Sequence, residues 1–178
     1  LLAGPLDYTP GLFSLTQPTR KISSTLAKQL AFYVTLYSPM QMAADLPEHY
    51  FNQPAFQFIK DVPVSWETTV PLDGVIGDYY VVARKDRESD DWFVGAVSDE
   101  QSRTLTIPLH FLQGHRTYQA TIYRDTKNTN WQTNPEEHEI ETCTVHSQET
   151  LEIFIAPGGG FAIKITPEGE IASPYPAQ

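Results

Sequence analysis

The sequence of 178 residues has very little cysteine, few basic residues and no long apolar run. Its one cysteine, Cys143, excludes an intrachain disulfide, and we expect the thiol to point inward from a strand as a small apolar group. No stretch reaches the roughly 18 continuous apolar residues that a membrane-spanning helix requires. Only 12 lysines and arginines stand against 22 aspartates and glutamates, so the formal net charge is −10. Phosphate neutralisation needs a basic patch, and we therefore expect no nucleic acid partner.

The N-terminus lacks the features with which a gene product usually begins. There is no initiating methionine and no basic segment of a signal peptide, and Leu1 opens directly inside the apolar sequence LLAGPLDY. We therefore expect the chain to be a truncation, a proteolytic fragment or the ordered part of something longer.

The stretch from Thr25 to Leu46 predicts a helix followed by a short strand. Apolar residues recur at a helical spacing as far as Tyr37, and Ser23 or Ser24 is the expected N-cap. Pro39 ends the helix, and the apolar run PMQMAADL then predicts a strand that closes at Asp45. A helix, a break and a strand that ends in a carboxylate are typical of an α/β barrel. In that fold, side chains at the C-terminal ends of strands face the active site.

Three residues are candidates for contact with a substrate at that face. Leu1 to Gly11 predicts a strand and its outgoing loop, which places Asp7 and Tyr8 at the strand end. Asp7 has the alternative of bonding N–H groups of its own loop. Asp45 could face a sugar or cap the turn that begins at Leu46. We predict Asp7, Tyr8 and Asp45 as substrate-binding residues and find no candidate for a catalytic one.

Beyond residue 63 the period of the sequence changes from helical to alternating. Pro54 to Lys60 predicts a last short helix, and we place a domain boundary between 1–63 and 64–178. Eight short segments rich in β-branched and aromatic residues follow, which predicts an antiparallel β-sandwich. The eight segments are Trp66–Leu72, Tyr79–Arg84, Trp92–Val97, Arg103–Leu109, Thr117–Asp125, His138–Val145, Thr150–Ile155 and Phe161–Thr166. Pro167 to Gln178 is expected to form a loose tail.

Several blocks, in order, resemble the C-terminal part of glycoside hydrolase family 97. They are LAGPLDYTPG, then TLAKQLAFYVTLYSPMQMAADLPEHY, then AFQFIKDVPVSWETT, and the resemblance runs from Leu1 to about Pro167. The family comprises bacterial α-glucosidases and α-galactosidases, typified by an α-glucosidase of Bacteroides, and its members are several times longer than this chain. The resemblance implies the terminal part of a TIM (β/α)8 barrel followed by an antiparallel β-sandwich.

The same resemblance implies what the chain does and where. It implies a fragment of an enzyme that cleaves terminal α-glucosidic or α-galactosidic bonds of an oligosaccharide, with catalytic glutamates that lie upstream of Leu1. It also implies calcium held by upstream glutamates, so no metal ligand is assigned to this chain. The partner would be the remainder of the catalytic barrel, and the location would be periplasmic or at the cell surface. We expect the fragment alone to be inactive.

Other motifs favour ordinary structural roles. Gly158-Gly159-Gly160 lacks the Lys-Ser/Thr of a phosphate-binding loop, and the histidine spacings match no zinc pattern. The acidic cluster from Asp86 to Asp91 lacks the twelve-residue pattern of a calcium loop and is expected to be a solvated hairpin.

Aromatic residues supply an alternative function of another class. Trp66 is expected at the junction of the two domains and Trp92 in the sandwich core, whereas Trp131 lies in a polar loop. An exposed indole there would make the sandwich a carbohydrate-binding module; the alternatives are a Trp131 folded over its own loop and a purely structural accessory module. A third hypothesis is association with another chain, because the Thr25–Tyr37 helix would expose its apolar faces in a monomer.

Overall fold

The protein is described by a computed structural model that covers residues 7–17 and 20–168. Two sheets and one principal helix make up most of it. In chain order the elements are β1 (Thr16–Gln17), β2 (Arg20–Lys21), α1 (Leu26–Thr35), α2 (Pro47–Tyr50), α3 (Phe56–Asp61), β3 (Trp66–Val75), β4 (Tyr79–Asp86), β5 (Trp92–Ser98), β6 (Arg103–Pro108), β7 (Thr117–Arg124), β8 (Glu139–His146), β9 (Thr150–Ile155) and β10 (Gly160–Pro167). The chain is thus mostly antiparallel sheet with few helices.

Two antiparallel sheets pack face to face beyond residue 65. The larger has six strands in the order β3-β4-β5-β10-β7-β8, and the smaller is the pair β6-β9. Apolar side chains between the sheets form one core, to which β6 and β9 contribute Ile107 and Ile153. Trp92 lies in this core and Cys143 packs partly buried against it. All eight predicted strands and their antiparallel packing are confirmed.

The six-stranded sheet is also covered on its other face, where α1 crosses β5 and β10. Phe93 and Ala162 point to the helix, whereas their neighbours along each strand point into the sandwich core. Leu30 and Val34 of α1 are fully buried in this second core. The expectation that α1 would expose its apolar faces is therefore wrong. A sheet buried on both faces requires strands without polar alternation, as in the WFVGAV segment of β5.

The segment before residue 63 differs from its prediction at several points. Thr25, rather than Ser23 or Ser24, is the N-cap of α1, because its hydroxyl accepts the Lys28 N–H at 3.3 Å. The helix ends at Thr35, α3 begins at Phe56, and the short helix α2 had not been predicted. Residues 39–46 form no strand; within the described residues their backbone makes one isolated parallel bridge, between Gln41 and Tyr8. A strand needs neighbours that pair its backbone groups in a continuous ladder, and here the described residues add to that bridge one bond, from the Ala44 N–H to the Pro10 carbonyl at 3.0 Å.

Contacts across residue 63 are extensive. Phe58 of α3 packs edge-on against Phe93 and Tyr123 of the sheet, and Trp66 joins the same cluster. Lys164 of β10 lies 3.1 Å from Asp61. The helices and the sheet therefore share one core, although the boundary at 63/64 stays a prediction. Within residues 7–17 and 20–168, no helix combines the length and the apolarity needed to cross a bilayer. Residues 1–6, which include most of the first predicted strand, lie outside the described residues.

Candidate functional site

Asp45 is the centre of a compact hydrogen-bond network. Its Oδ2 accepts the N–H groups of Phe13 and Ser14 at 2.9 and 2.7 Å, and its Oδ1 accepts the Leu46 N–H at 2.9 Å. His49 Nδ1 lies 2.5 Å from the same Oδ1, and the Asp45 side chain is 4% exposed. Burial raises the pKa of Asp45, but these hydrogen bonds outweigh burial and hold the pKa below its usual value. The network ties residues 13 and 14 to the turn that begins at Leu46.

Two tyrosines fix the loop that follows Tyr8. The Tyr33 hydroxyl lies 3.1 Å from the Pro10 carbonyl and 3.2 Å from the Met42 carbonyl. The Tyr50 hydroxyl donates to the Gly11 carbonyl at 2.8 Å and accepts the Asp45 N–H at 2.8 Å. Gly11 has φ of +88°, and an added Cβ would lie 2.4 Å from the Tyr33 oxygen, so no other residue fits this position.

The three predicted substrate-binding residues lie in one region but do not converge on one point. Tyr8 is half-buried, packs edge-on against Phe32 of α1, and forms the bridge to Gln41. Asp7 is exposed beside it, whereas Asp45 is buried and its oxygens are taken by backbone and histidine. Their role in substrate binding stays a prediction.

A buried carboxylate holds the glycine-rich turn to the sheet. Asp125 Oδ2 accepts the N–H groups of Ala156 and Gly160 at 3.1 and 3.0 Å. An added Cβ at Gly159 would lie 1.9 Å from that oxygen, so the turn requires glycine there. Burial is the largest influence on Asp125 and raises its pKa to about 6, against the hydrogen bonds and the charge of Lys28. Sequence reasoning missed Asp125, although an aspartate at the end of a β-strand was a visible signal.

Trp131 packs on the same turn. An added Cβ at Gly158 would lie 2.5 Å from Trp131 Cδ1, and the indole is half-buried. The ring therefore covers the backbone of Gly158, in a different turn, rather than its own loop as the structural alternative predicted. Whether Trp131 also contacts a carbohydrate stays a prediction.

An apolar groove opens between α1 and the β3–β4 hairpin. Its volume is about 840 Å³, and Phe32, Leu72 and Tyr80 contribute to its walls. The groove is also lined by four charged residues, Lys28, Asp73, Asp78 and Asp99. At the hairpin tip, Ile76 is fully exposed. Sequence reasoning missed this groove, because it depends on where α1 crosses the sheet.

A buried arginine, Arg84, lies on the face of β4 that also carries the groove residue Tyr80. Arg84 is 7% exposed, and its guanidinium carbon lies 5.6 Å from the Tyr37 ring centre and 5.7 Å from the Trp66 ring centre. Burial lowers the pKa of Arg84. Sequence reasoning missed this residue because the pattern of YYVVAR does not say which face is covered.

The described residues supply no complete catalytic constellation. No group of three or more histidines, cysteines or carboxylates among residues 7–17 and 20–168 is close enough to hold a metal ion. The most buried carboxylates described above, Asp45 and Asp125, accept backbone N–H groups and hold loops in place.

Comparison with known proteins identifies relatives over nearly the whole chain. The chain is 33% identical over 175 residues to a retaining alpha-galactosidase of Bacteroides thetaiotaomicron. That match covers 92% of this chain and 25% of the relative. It is 29% identical to a probable retaining alpha-galactosidase of Streptomyces bingchenggensis. That match covers 89% of this chain and 23% of the relative. The chain therefore spans about a quarter of the length of these relatives.

Solved structures agree with the sequence comparison. A Glycoside Hydrolase Family 97 enzyme from Pseudoalteromonas sp. strain K8, in complex with acarbose, superposes with a TM-score of 0.87 at 47% identity. That match covers 93% of this chain and 27% of the enzyme. The sequence-family model described as "Glycosyl-hydrolase 97 C-terminal, oligomerisation" matches residues 65–166. These findings confirm the resemblance seen in the sequence, and the chain belongs to the C-terminal family of the glycosyl hydrolases 97.

Proposed function

We propose that this chain is the C-terminal part of a longer glycoside hydrolase that cleaves terminal α-linked galactose or glucose from oligosaccharides. The observation that carries the proposal is the match of about nine-tenths of this chain to about a quarter of two α-galactosidases. The reaction needs a carboxylic acid that protonates the leaving oxygen and a second carboxylate that acts as nucleophile in a retaining enzyme. Both would come from the part of the enzyme that precedes this chain, as would the glutamates that hold calcium.

Within that enzyme, residues 7–46 would complete a TIM barrel. Two observations support this role. The bridge between Tyr8 and Gln41 is parallel, as strand pairs in such a barrel are. The segment after α1 also carries apolar side chains that stay exposed in this chain, namely Tyr37, Met40, Met42 and Leu46. Further barrel strands and helices would cover these side chains, and the sandwich would brace the barrel through α1.

The substrate side of the barrel would include the three predicted residues in two different roles. Asp7 and Tyr8 stand at the end of the bridging segment, where they would contact the sugar. Asp45 would act as a positioning residue, because its oxygens already hold the backbone of Phe13 and Ser14. The resemblance also supports a periplasmic or cell-surface location for the enzyme.

Hydrolysis of p-nitrophenyl α-galactoside and α-glucoside tests the proposal. The 178-residue chain is expected to release no nitrophenol from either substrate, whereas the complete enzyme is expected to hydrolyse at least one of them. Hydrolysis by the 178-residue chain would contradict the assignment of the catalytic groups. A complete enzyme inactive on both substrates would contradict the proposed activity.

Self-association through the β3–β4 hairpin is a second candidate function. The matching family carries the word oligomerisation in its description, and the hairpin tip bears the fully exposed Ile76 beside the half-exposed Val75. Insertion of Ile76 from one copy into the groove of another would bury an apolar side chain that water now surrounds. Measurement of the molar mass of the chain in solution tests this candidate.

A further inference from the structure

Arg84 is a buried cation without an acceptor in the described part of the chain. The residue is 7% exposed. Its Nε is buried without a hydrogen-bond partner, and no carboxylate of residues 7–17 or 20–168 forms an ion pair with it. The described neighbours of the guanidinium are aromatic rings, those of Tyr37 and Trp66. A buried charge held only by ring faces is costly unless something else neutralises it.

The arginines that follow Arg84 in the chain show what it lacks. Arg87 donates to the Trp66 carbonyl, Arg116 pairs with Asp90, and Arg124 pairs with Glu139 and Glu141. Arg103 pairs with Asp99. The Nε atoms of Arg103 and Arg124 are also buried without a partner, but both guanidinium groups have a carboxylate. Among the arginines from residue 84 onward, Arg84 is thus the most deeply buried and the one for which the described residues supply neither an ion pair nor a hydrogen-bond acceptor.

A second donor without a partner lies at the same place. Trp66 Nε1 is buried and unpaired, and the Trp66 ring is in contact distance of the Arg84 guanidinium. An unsatisfied buried donor costs about 1–3 kcal/mol, so two adjacent ones are rarely kept without a reason. The two donors belong to the paired strands β3 and β4, and Tyr37, two residues beyond the end of α1, is 38% exposed. We call the site formed by Arg84, Trp66 and Tyr37 the aromatic socket. The Arg84 guanidinium is at its centre, and it is open to solvent beside the Tyr37 ring.

We propose that a carboxylate from the barrel portion of the enzyme enters this socket beside Tyr37 and pairs with the Arg84 guanidinium. The proposal rests on the proposed function, which places barrel elements over the exposed segment from Tyr37 to Leu46. A carboxylate fits because it neutralises the charge and accepts two parallel N–H bonds from the planar guanidinium. The two rings hold the guanidinium in place beforehand, so little side-chain freedom is lost when the pair forms. Arg84 would thus lock the sandwich to the barrel.

The isolated 178-residue chain gives the first half of the test. Arg84→Met keeps most of the side-chain length and removes the unneutralised charge. We expect this change to raise the midpoint of thermal unfolding by about 2–4 °C. Arg116→Met is the matched control, and it should lower the midpoint slightly because it breaks a partly buried pair with Asp90. A fall of several degrees for Arg84→Met would show that the Arg84 guanidinium is already stabilised within the chain and would overturn the proposal.

The complete enzyme provides the second part of the test. There we expect Arg84→Met to destabilise the protein instead of stabilising it. Arg84→Met should leave the barrel carboxylate buried and unpaired, so we expect heat inactivation to be about tenfold faster or more. Arg84→Lys keeps the charge without the planar fork and should lie between wild type and Arg84→Met. The inactivation rate of Arg84→Lys also tests the proposal if Arg84→Met fails to fold. Unchanged or slower inactivation for both variants would overturn the proposal.

Two further outcomes separate the possible failures. If the wild-type complete enzyme hydrolyses no α-glycoside, the proposed function fails, whatever the variants show. If it is active and Arg84→Met changes its molar mass from dimer to monomer, the acceptor belongs to a second copy and the assignment to the barrel is wrong.

Discussion

The side chain of Val34 in α1 lies directly over Gly95 in β5. A Cβ added at Gly95 would be 2.8 Å from Val34 Cβ and 2.9 Å from the Ala31 carbonyl oxygen. The neighbour on the helix side is partly backbone, which cannot turn away as a flexible side chain would. The absence of a side chain at Gly95 therefore sets how closely α1 approaches the sheet.

Gly95→Ala should push α1 away from the sheet and lower the free energy of unfolding by about 1–3 kcal/mol, the usual cost of overpacking a core. Urea unfolding followed by tryptophan fluorescence measures the change. Gly114→Ala is the matched control, because an added Cβ there meets no atom within 4 Å. Its free energy of unfolding should change by less than about 0.5 kcal/mol. Equal effects of the two substitutions would contradict the close approach of α1 at Gly95.

Asp125 should make the protein less stable as the pH rises from about 4 to 7. Burial raises its pKa from 3.8 to about 6, so the folded state holds a proton that the unfolded state releases. The contribution is fully present below pH 3.8 and is lost as the pH passes about 6. At 1.36 kcal/mol per pKa unit, the loss is about 3 kcal/mol.

Asp125→Asn isolates this contribution from other titrating groups. The amide oxygen can still accept the Ala156 and Gly160 N–H groups, but the side chain no longer ionises. Relative to wild type, the variant should therefore gain about 3 kcal/mol in free energy of unfolding between pH 4 and pH 7. Asp78→Asn, at an exposed position, is the control. A difference between Asp125→Asn and wild type that does not vary with pH would contradict the raised pKa.

Removal of the Asp45 carboxylate should release the loop at Phe13 and Ser14. Asp45→Ala is expected to lower the free energy of unfolding by about 1–3 kcal/mol near neutral pH, because buried N–H groups lose their acceptor. The pKa of Asp45 is lowered, so this stability is present above pH 3.8 and is lost as the pH falls below it. Chemical unfolding at pH 7 and at pH 3 measures both values, and Glu48→Ala in the neighbouring exposed turn is the control. A penalty as large at pH 3 as at pH 7 would contradict the role of the ionised carboxylate.

Replacement of the exposed Ile76 should reduce self-association without loss of stability. Ile76→Ser removes an apolar side chain that makes no buried contact in one copy, so the unfolding midpoint of the monomer should stay within about 1–2 °C. Light scattering across a range of concentrations should show a smaller dimer fraction than for wild type. Thr104→Ser, at an exposed position of β6, serves as the control. An unchanged dimer fraction would remove the hairpin from the interface.

The sandwich strands could be predicted from the sequence because they depend on local signals. In Arg103–Pro108, for example, the exposed Thr104 and Thr106 alternate with the buried Leu105 and Ile107, and turn residues separate such segments, so their positions follow from the chain itself. Helix α1 was predictable for the same reason. The strand expected at residues 39–46 did not form, because a strand also needs a continuous row of neighbours, and the described residues supply a bridge at Tyr8 and a single bond at Pro10.

The sites were much less predictable. Asp7, Tyr8 and Asp45 could be named from their places in the sequence, yet only the structure shows that the Asp45 oxygens hold backbone N–H groups. Arg84 and Asp125 were missed because their importance comes from burial, and burial depends on elements far away along the chain. Trp66, for example, reaches Arg84 from the neighbouring strand β3.

The sequence by itself determined the strands, the principal helix and membership of the family, because periodicity, turn residues and long matching blocks are properties of the linear chain. Tertiary structure alone decided that α1 covers the second face of the sheet and that Arg84 is buried without an acceptor among the described residues. The position of α1 and the burial of Arg84 depend on which surfaces meet in space. Those contacts join residues far apart in the chain, such as Val34 and Gly95, which are more than fifty positions apart.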